Sequence, residues 1–320
     1  MTLEYRRLGN SGLQVSVAGL GTNNFGRRCD FAATEAVIDK AIDVGINFID
    51  TADVYGDSLS EEFIGRALRG RQRDLVIATK FEKQMGEGPL HGGTSRRYVM
   101  EAAEASLRRL GIEAIDLYQI HFWNDGAPLE ETLRALDDLV HRGDVRYIGV
   151  SNFTAWQMVE AQWITRTEHL TPLISTQNQY SLLERGVERE VLPVARRYNM
   201  GMIPYFPLAS GFLTGKYRQG EPPPPGTRLA GGGAFATRGL TDENFRKLAV
   251  FEAFAEERDH TVGQLALAWL AAQPGVSSVI AGATKAEQVE ENARALEWKL
   301  TAEDVRALDE ALAAQPVAAG

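Results

Sequence analysis

The chain has 320 residues, 34 basic and 43 acidic side chains and a formal net charge of −9, a balance that argues against a nucleic-acid binder. With 44% hydrophobic and 24% charged residues it is neither disordered nor fibrous, and its one cysteine, Cys29, allows no internal disulfide and fits a reducing, cytoplasmic setting. Residues 1–7 lack the apolar core of a signal peptide, and no apolar run approaches the roughly 18 residues of a membrane span.

Taken in chain order, short apolar runs alternate with helical periodicity. Residues 7–15 read as a hairpin around a Gly/Asn turn and 17–20 as a strand. A helix over 34–44 has Thr34 as its cap, an apolar stripe at Val37, Ile38, Ala41 and Ile42, and Gly45 as its stop. Strand 47–50 follows, then a helix opened by a Ser58/Glu61 capping box and ended by Gly70. Strand 75–79 leads to helix 95–110. Strand 116–120 leads to a helix that starts at Pro128 and buries Leu129, Leu133, Leu136 and Val140. Strand 145–150 pairs with helix 154–163, and strand 173–177 with a helix ending near Asn199; strand 201–205 is the seventh. Residues 218–240 hold four consecutive prolines and three consecutive glycines and read as a long surface loop. Helices then start near Thr241 and Thr261, and residues 276–280 form the eighth strand. Thr284 and Glu287 box the next helix, and Thr301 caps a last one with Val305, Leu308 and Leu312.

Eight apolar strands alternating with helices imply a parallel sheet covered on its helical side. A doubly wound sheet uses the same elements. The count of eight, and the lack of a βαβ nucleotide fingerprint, favour a (β/α)₈ TIM barrel formed by one domain over 1–320. In such a barrel, function gathers where strands end. Asp50 ends the second strand, with Tyr55 in the loop after it. Lys80 ends the third strand and His121 the fourth.

These four types suit one another. Tyrosine titrates near 10 and is a poor acid at neutral pH. A lysine cation beside it favours the phenolate, and a carboxylate holds that lysine charged. A histidine can donate a hydrogen bond to a substrate oxygen, so the set suits proton delivery to a carbonyl. Each residue singly has an ordinary reading as a turn, strand-end or packing residue; their joint placement does not. Two glycine-rich stretches, 19–26 and 211–217, fall short of the dinucleotide and P-loop patterns but could hold an anion in a barrel mouth. The five scattered histidines show no metal spacing, and Gly-x-Ser-x-Gly is absent.

Gly45-Ile46-Asn47-Phe48-Ile49-Asp50-Thr51-Ala52-Asp53-Val54-Tyr55-Gly56, Ala78-Thr79-Lys80 and Asp116-Leu117-Tyr118-Gln119-Ile120-His121 together resemble the aldo-keto reductase family. Gly149-Val150-Ser151-Asn152-Phe153 and Pro207-Leu208-Ala209-Ser210-Gly211 add to the resemblance, which lies nearest the bacterial and potassium-channel-β-like branches. It implies a barrel whose N-terminal hairpin closes the bottom, with extra helices at the C-terminus. The tetrad would be Asp50, Tyr55, Lys80 and His121, with Tyr55 as proton donor. The cofactor would be NADPH, with NADH use open, bound extended. Ser151, Asn152 and Gln177 would hold its carboxamide, Tyr205 would stack on the ring, and Thr22, Asn23 and Asp50 would lie beside it. Leu208 and Ser210 would touch the pyrophosphate and Lys216 a phosphate. Gly282, Thr284, Gln288, Glu291 and Asn292 would hold the adenosine end. Arg228, after the Pro-rich loop, would read the 2′-phosphate.

The resemblance implies reduction of a small aldehyde or ketone, with no nucleic-acid or membrane partner. It also implies a second reading, an NADPH-sensing regulatory subunit with little turnover. The complete tetrad and the short N-terminus favour the enzyme. Phe122, Trp123, Phe153 and Trp156 suggest an aromatic-lined substrate pocket. The substrate itself, the direction of reaction and the oligomeric state are not written in the sequence.

Overall fold

In a computed structural model, which describes residues 3–314, the apolar runs become strands and the periodic stretches become helices. The ends of the expected domain, positions 1–2 and 315–320, lie outside the described residues. Strands β1 (Tyr5–Arg7) and β2 (Gln14–Ser16) form an antiparallel hairpin. Eight parallel strands follow: β3 (Ala18–Gly21), β4 (Phe48–Asp50), β5 (Val76–Phe81), β6 (Ile115–Ile120), β7 (Val145–Ser151), β8 (Leu173–Gln179), β9 (Gly201–Tyr205) and β10 (Val279–Gly282). Hydrogen bonding runs unbroken from β10 through β3 to β9. The Met202 N–H then donates to Gly275 O, and the Ser277 N–H to Met202 O, each at 2.9 Å. These two bonds bring β9 to the segment before β10 and complete a (β/α)₈ barrel.

Helices cover the outside. They are α1 (Phe31–Asp43), α2 (Leu59–Leu68), α3 (Arg96–Leu110), α4 (Leu129–Arg142), α5 (Ala155–Thr167) and α6 (Val191–Arg197), with α7 (Gly233–Gly239), α8 (Asp242–Glu256) and α9 (Val262–Ala272) before β10, and α10 (Ala286–Ala295) and α11 (Ala302–Ala313) after it. Every position of β5 and β6 is buried, because helices cover one side and the barrel interior the other. Among the described residues no helix is long and apolar enough to cross a membrane.

The hairpin seals the bottom. Leu8 and Val15 pack into one apolar cluster with Phe48, Val76, Ala78, Leu117, Ile174, Ile203 and Ile280, the lower interior of the barrel. The Arg6 guanidinium donates to Ala271 O and Val276 O, and Ser277 Oγ donates to Arg7 O. Gly9 makes the close approach possible. Its φ is +58°, and a Cβ there would lie 2.2 Å from Ile174 O and 2.8 Å from Gly201 N.

Several local expectations give way to tertiary contacts. Helix α1 is capped by Asp30, whose carboxylate accepts from the Ala33 N–H at 2.9 Å, and Thr34 is buried inside its first turn. Ser58 and Glu61 form no capping box: Ser58 sits at φ 75° and its hydroxyl donates to Asp53 O. Glu61 turns inward, accepting from Thr79 Oγ1 at 2.5 Å and from Arg109 Nε at 2.6 Å. Helix α4 buries Leu139 with Leu133 and Leu136, leaving Leu129 and Val140 only partly covered. Before α10 the box uses Gln288, not Glu287; its Oε1 accepts from the Thr284 N–H at 2.8 Å. The segment 218–240 is not one loop, since it contains a 3₁₀ turn at Arg228–Gly231 and α7.

Glu61 is fully buried and its partner Arg109 about one-fifth exposed (21%). Replacing Glu61 by Ala therefore strands a guanidinium and a hydroxyl. The expected loss is about 3 kcal/mol, the scale for removing one partner of a buried pair. A lowered denaturant midpoint at constant slope checks this; an unchanged midpoint would show that the pair adds nothing.

Candidate active site

Side chains alternate along each strand, so the parity set by Phe48, Ala78 and Leu117 in the lower core also points Asp50, Lys80 and Gln119 into the barrel. Lys80 is completely buried there. Its Nζ lies 2.6 Å from Asp50 Oδ2 and donates to Thr51 O at 2.8 Å. The other oxygen, Asp50 Oδ1, accepts from Gln177 Nε2 at 2.8 Å and from Gln119 Nε2 at 3.2 Å. Tyr55 stands above this layer, half-buried, with Lys80 Nζ 5.2 Å from its ring centroid and the His121 ring edge-on at 5.9 Å. The loop carrying it is tied to β5 through Thr51 N–H to Ala78 O and Asp53 N–H to Lys80 O.

The electrostatics follow from this burial. Burial raises the Tyr55 pKa, with Lys80 pulling it down; the net direction is upward, so Tyr55 holds its proton at neutral pH. The lysine's proximity therefore does not by itself produce an acidified tyrosine. Burial opposes the charge on Lys80, but Asp50 and Tyr55 outweigh it and its pKa is raised. Burial, then Lys80 and Lys83, push His121 down to about 2, leaving a neutral imidazole whose Nδ1 has no hydrogen-bond partner among the described residues.

The rim above is knitted by side chains. Asn152 sits at φ 60°, its amide nitrogen donating to His121 O and Ser151 Oγ, each at 3.0 Å. The Tyr205 hydroxyl donates to Asn152 Oδ1 at 2.7 Å, and Ser151 Oγ to Gln177 O at 3.0 Å. Thr22 Oγ1 donates to Asp50 O. After β9 the chain turns through left-handed backbone at Phe206, Ala209, Ser210 and Gly211. Such residues cost of order 1 kcal/mol or more each when not glycine, and they shape the concave backbone that holds anions.

All these groups face one cavity of about 1260 Å³. Its wall includes Tyr55 and His121, with Lys80 buried beneath. The wall also includes Thr22, Asn23, Asp50, Ser151, Asn152, Gln177 and Tyr205, together with Leu208, Ser210, Lys216, Gly282, Thr284, Gln288, Glu291 and Asn292. Arg228 lies 5.0 Å over the Phe206 ring, next to Tyr205. Burial lowers its pKa, as do Arg28 and Arg27, while Tyr55 raises it. Arg28, Lys216, Arg228, Arg238 and Lys285 all line the cavity, and none makes an ion pair among the described residues; the only carboxylates on the wall are Asp50 and Glu291. Of the four aromatics expected at the substrate pocket, only Phe122 lines it, stacked on His121 at 4.9 Å. Trp123 packs edge-on against Phe153 and Trp156 outside the cavity, and Trp156 is mostly exposed.

Sequence reasoning missed Gln119, Arg28 and Phe206. Gln119 was discoverable, since it lies two positions before His121 and shares its inward parity. Arg28 reaches the cavity because it donates to Gly226 O at 2.5 Å, across a separation that no local pattern encodes.

The chain matches the Aldo/keto reductase family profile over residues 18–313. It is 38% identical to a probable voltage-gated potassium channel subunit beta of Oryza sativa, over 92% of each chain. It is 34% identical to the L-glyceraldehyde 3-phosphate reductase of Escherichia coli, over 92% of this chain and 88% of that one. An uncharacterised oxidoreductase of Bacillus subtilis is 36% identical, over 96% and 95%.

Behind Tyr55 lies a carboxyl group with its own pH signature. Asp53 is buried, and among the described residues no side chain pairs with its carboxyl group. Burial first, then the Glu61 carboxylate, push its pKa up to about 8, against the pull of Arg109. The unfolded chain gives up this proton near pH 4, the folded one only near 8, so this group makes stability fall as pH rises between the two. Asp53→Asn removes the titration. Its thermal midpoint relative to wild type should be higher at pH 8.5 than at pH 5; a pH-independent difference would show that Asp53 is ionised in the native state.

Proposed function

Because the chain belongs to the aldo/keto reductase family, we propose that this NAD(P)H-dependent oxidoreductase reduces a small aldehyde or ketone with NADPH, and that Tyr55 delivers the proton. One observation carries the reading: a protonated tyrosine stands over a buried Lys80–Asp50 pair, against a neutral histidine, on the wall of a large cavity. The cavity suits an extended dinucleotide. Its volume exceeds what a single drug-sized ligand needs, and its unpaired cations offer countercharge to several phosphate groups.

When bound, the nicotinamide supplies the hydride. Tyr55 passes its hydroxyl proton to the carbonyl oxygen. The Lys80 ammonium stabilises the phenolate left behind, and Asp50 keeps that ammonium charged and aimed. His121 offers an N–H to the same carbonyl oxygen, and its neutrality avoids a second positive charge beside Lys80. Ser151, Asn152 and Gln177 would hold the carboxamide, Tyr205 would pack on the ring beside Thr22 and Asn23, and Leu208, Ser210 and Lys216 would hold the pyrophosphate. Gly282, Thr284, Gln288, Glu291 and Asn292 would take the adenosine, and Arg228 a phosphate.

A second reading, a regulatory subunit that senses NADPH, is favoured by the name of the Oryza sativa relative. Steady NADPH oxidation with 4-nitrobenzaldehyde supports the enzyme; tight NADPH binding with no oxidation supports the sensor.

Tyr55→Phe should lower turnover by about 10² to 10⁴, the usual scale for general acid catalysis, while NADPH binding followed by its fluorescence stays near wild type. Near-normal turnover would remove Tyr55 from the mechanism. Arg228→Ala should weaken NADPH by about 1.5–3 kcal/mol, the scale for a hydrogen bond to a charged group. A parallel NADH titration tells which phosphate it serves: selective loss of NADPH marks the 2′-phosphate, equal loss the pyrophosphate. Unchanged affinity for both would take Arg228 out of the cofactor site.

A further inference from the structure

Gln119 has no assigned part in the reaction, yet it is fully buried at the centre of the site. Its Nε2 donates to Asp50 Oδ1 at 3.2 Å, the oxygen that also accepts from Gln177 Nε2 at 2.8 Å. Gln177 Nε2 lies 3.5 Å from Gln119 Oε1 as well. An ionised carboxylate only accepts, so both glutamines must turn their NH₂ groups toward it. That fixes which way each amide faces. Gln177 is left with its carbonyl oxygen directed away from Asp50, with no protein donor among the described residues, on a residue of the cavity wall. Gly149 on β7 leaves room for Ser175, since a Cβ there would lie 2.2 Å from Ser175 Oγ, while Gln119 Cγ at 3.5 Å would be in ordinary contact with it.

We infer that Gln119 is a positioning residue, which holds the Asp50 carboxylate under Lys80 and sets the Gln177 amide with its oxygen free to accept from the cofactor's carboxamide. The inference rests on the proposed reading of the cavity as a nicotinamide site. The charged groups facing Gln119 are Asp50 on β4 and Lys80 on β5, with Tyr55 above them; β7 presents Gly149 and β8 presents Gln177 and Ser175, none of which titrates in the working range.

The test uses three proteins and two ligands. Gln119→Leu keeps the volume and removes the donor. Its kcat should fall roughly 10- to 100-fold, the equivalent of one hydrogen bond to a charged group, while KM for 4-nitrobenzaldehyde hardly moves. Its affinity for NADPH should fall about tenfold, while its affinity for 2′,5′-ADP, which lacks the nicotinamide, stays that of wild type. Gln119→Glu gives the second readout. Only a protonated carboxyl can donate to Asp50, so its kcat relative to wild type should be lowest at pH 8 and recover toward acid, with no such recovery in Gln119→Leu. That recovery can come only from folded protein. Unchanged kcat and unchanged ligand affinities in Gln119→Leu would overturn the inference. So would equal weakening of NADPH and 2′,5′-ADP, which signals general loosening, or the absence of acid recovery in Gln119→Glu. If wild type itself neither binds NADPH nor oxidises it with the aldehyde, the proposed function fails and the inference falls with it.

Discussion

The structure turns on a lysine and a carboxylate held 2.6 Å apart and almost wholly buried inside the barrel. Removing two such charges from solvent costs several kcal/mol per ion even after relaxation, and their attraction offsets this only if the remaining donors and acceptors are also satisfied. Here they are. Lys80 Nζ has Asp50 and the Thr51 carbonyl, and Asp50 Oδ1 has two amide donors. The arrangement is possible because the parallel registers place Asp50 opposite Ala78 and Lys80 opposite Gln119. A slip of one residue would turn each of these side chains outward into the helical layer. The apolar residues below, Phe48, Ala78 and Leu117, hold that register by filling the lower core.

The hairpin matters for the same reason. Leu8 and Val15 close the bottom, so the polar layer opens only upward, toward the cavity. A second opening would bring water to the ion pair and weaken the field that Lys80 exerts on Tyr55. The plug and Tyr55 thus lie at opposite ends of one low-dielectric interior with a single mouth.

The parts of this site that were legible in the sequence were those fixed by strand ends. Asp50, Lys80 and His121 each close an apolar run, and a barrel puts such positions at one mouth. What escaped was set by contacts between distant segments. Ser58 and Glu61 have capping-box spacing, yet Arg109, 48 positions away from Glu61, and Thr79 draw the carboxylate inward. Thr34 looked like a cap because the better cap, Asp30, precedes an apolar first turn that reads as loop. Gln119, within Asp116-Leu117-Tyr118-Gln119-Ile120-His121, is placed inward by strand parity alone. Of Phe122, Trp123, Phe153 and Trp156, only Phe122 reaches the cavity, because Trp123 turns away to pack against Phe153 and Trp156.

Charge distribution completes the picture. The protein as a whole is acidic, with a net charge of −9, yet the cavity wall carries five cations with no ion pair among the described residues. Elsewhere many arginines and lysines do pair, as Arg134 does with Glu130 and Glu168 and Lys247 with Glu243. Leaving like charges unpaired in a partly enclosed cleft costs stability through mutual repulsion, visible where Arg27 and Arg28 depress Arg228. A protein keeps such an arrangement when an anion relieves it, because low-dielectric walls concentrate the field there. The left-handed stretch at Ala209, Ser210 and Gly211 stores strain in the same place. Both costs fall on the cavity and neither on the barrel beneath it, where the Lys80–Asp50 pair is fully satisfied. The fold therefore separates a relaxed polar floor from a strained, cationic wall whose charge suits an anion.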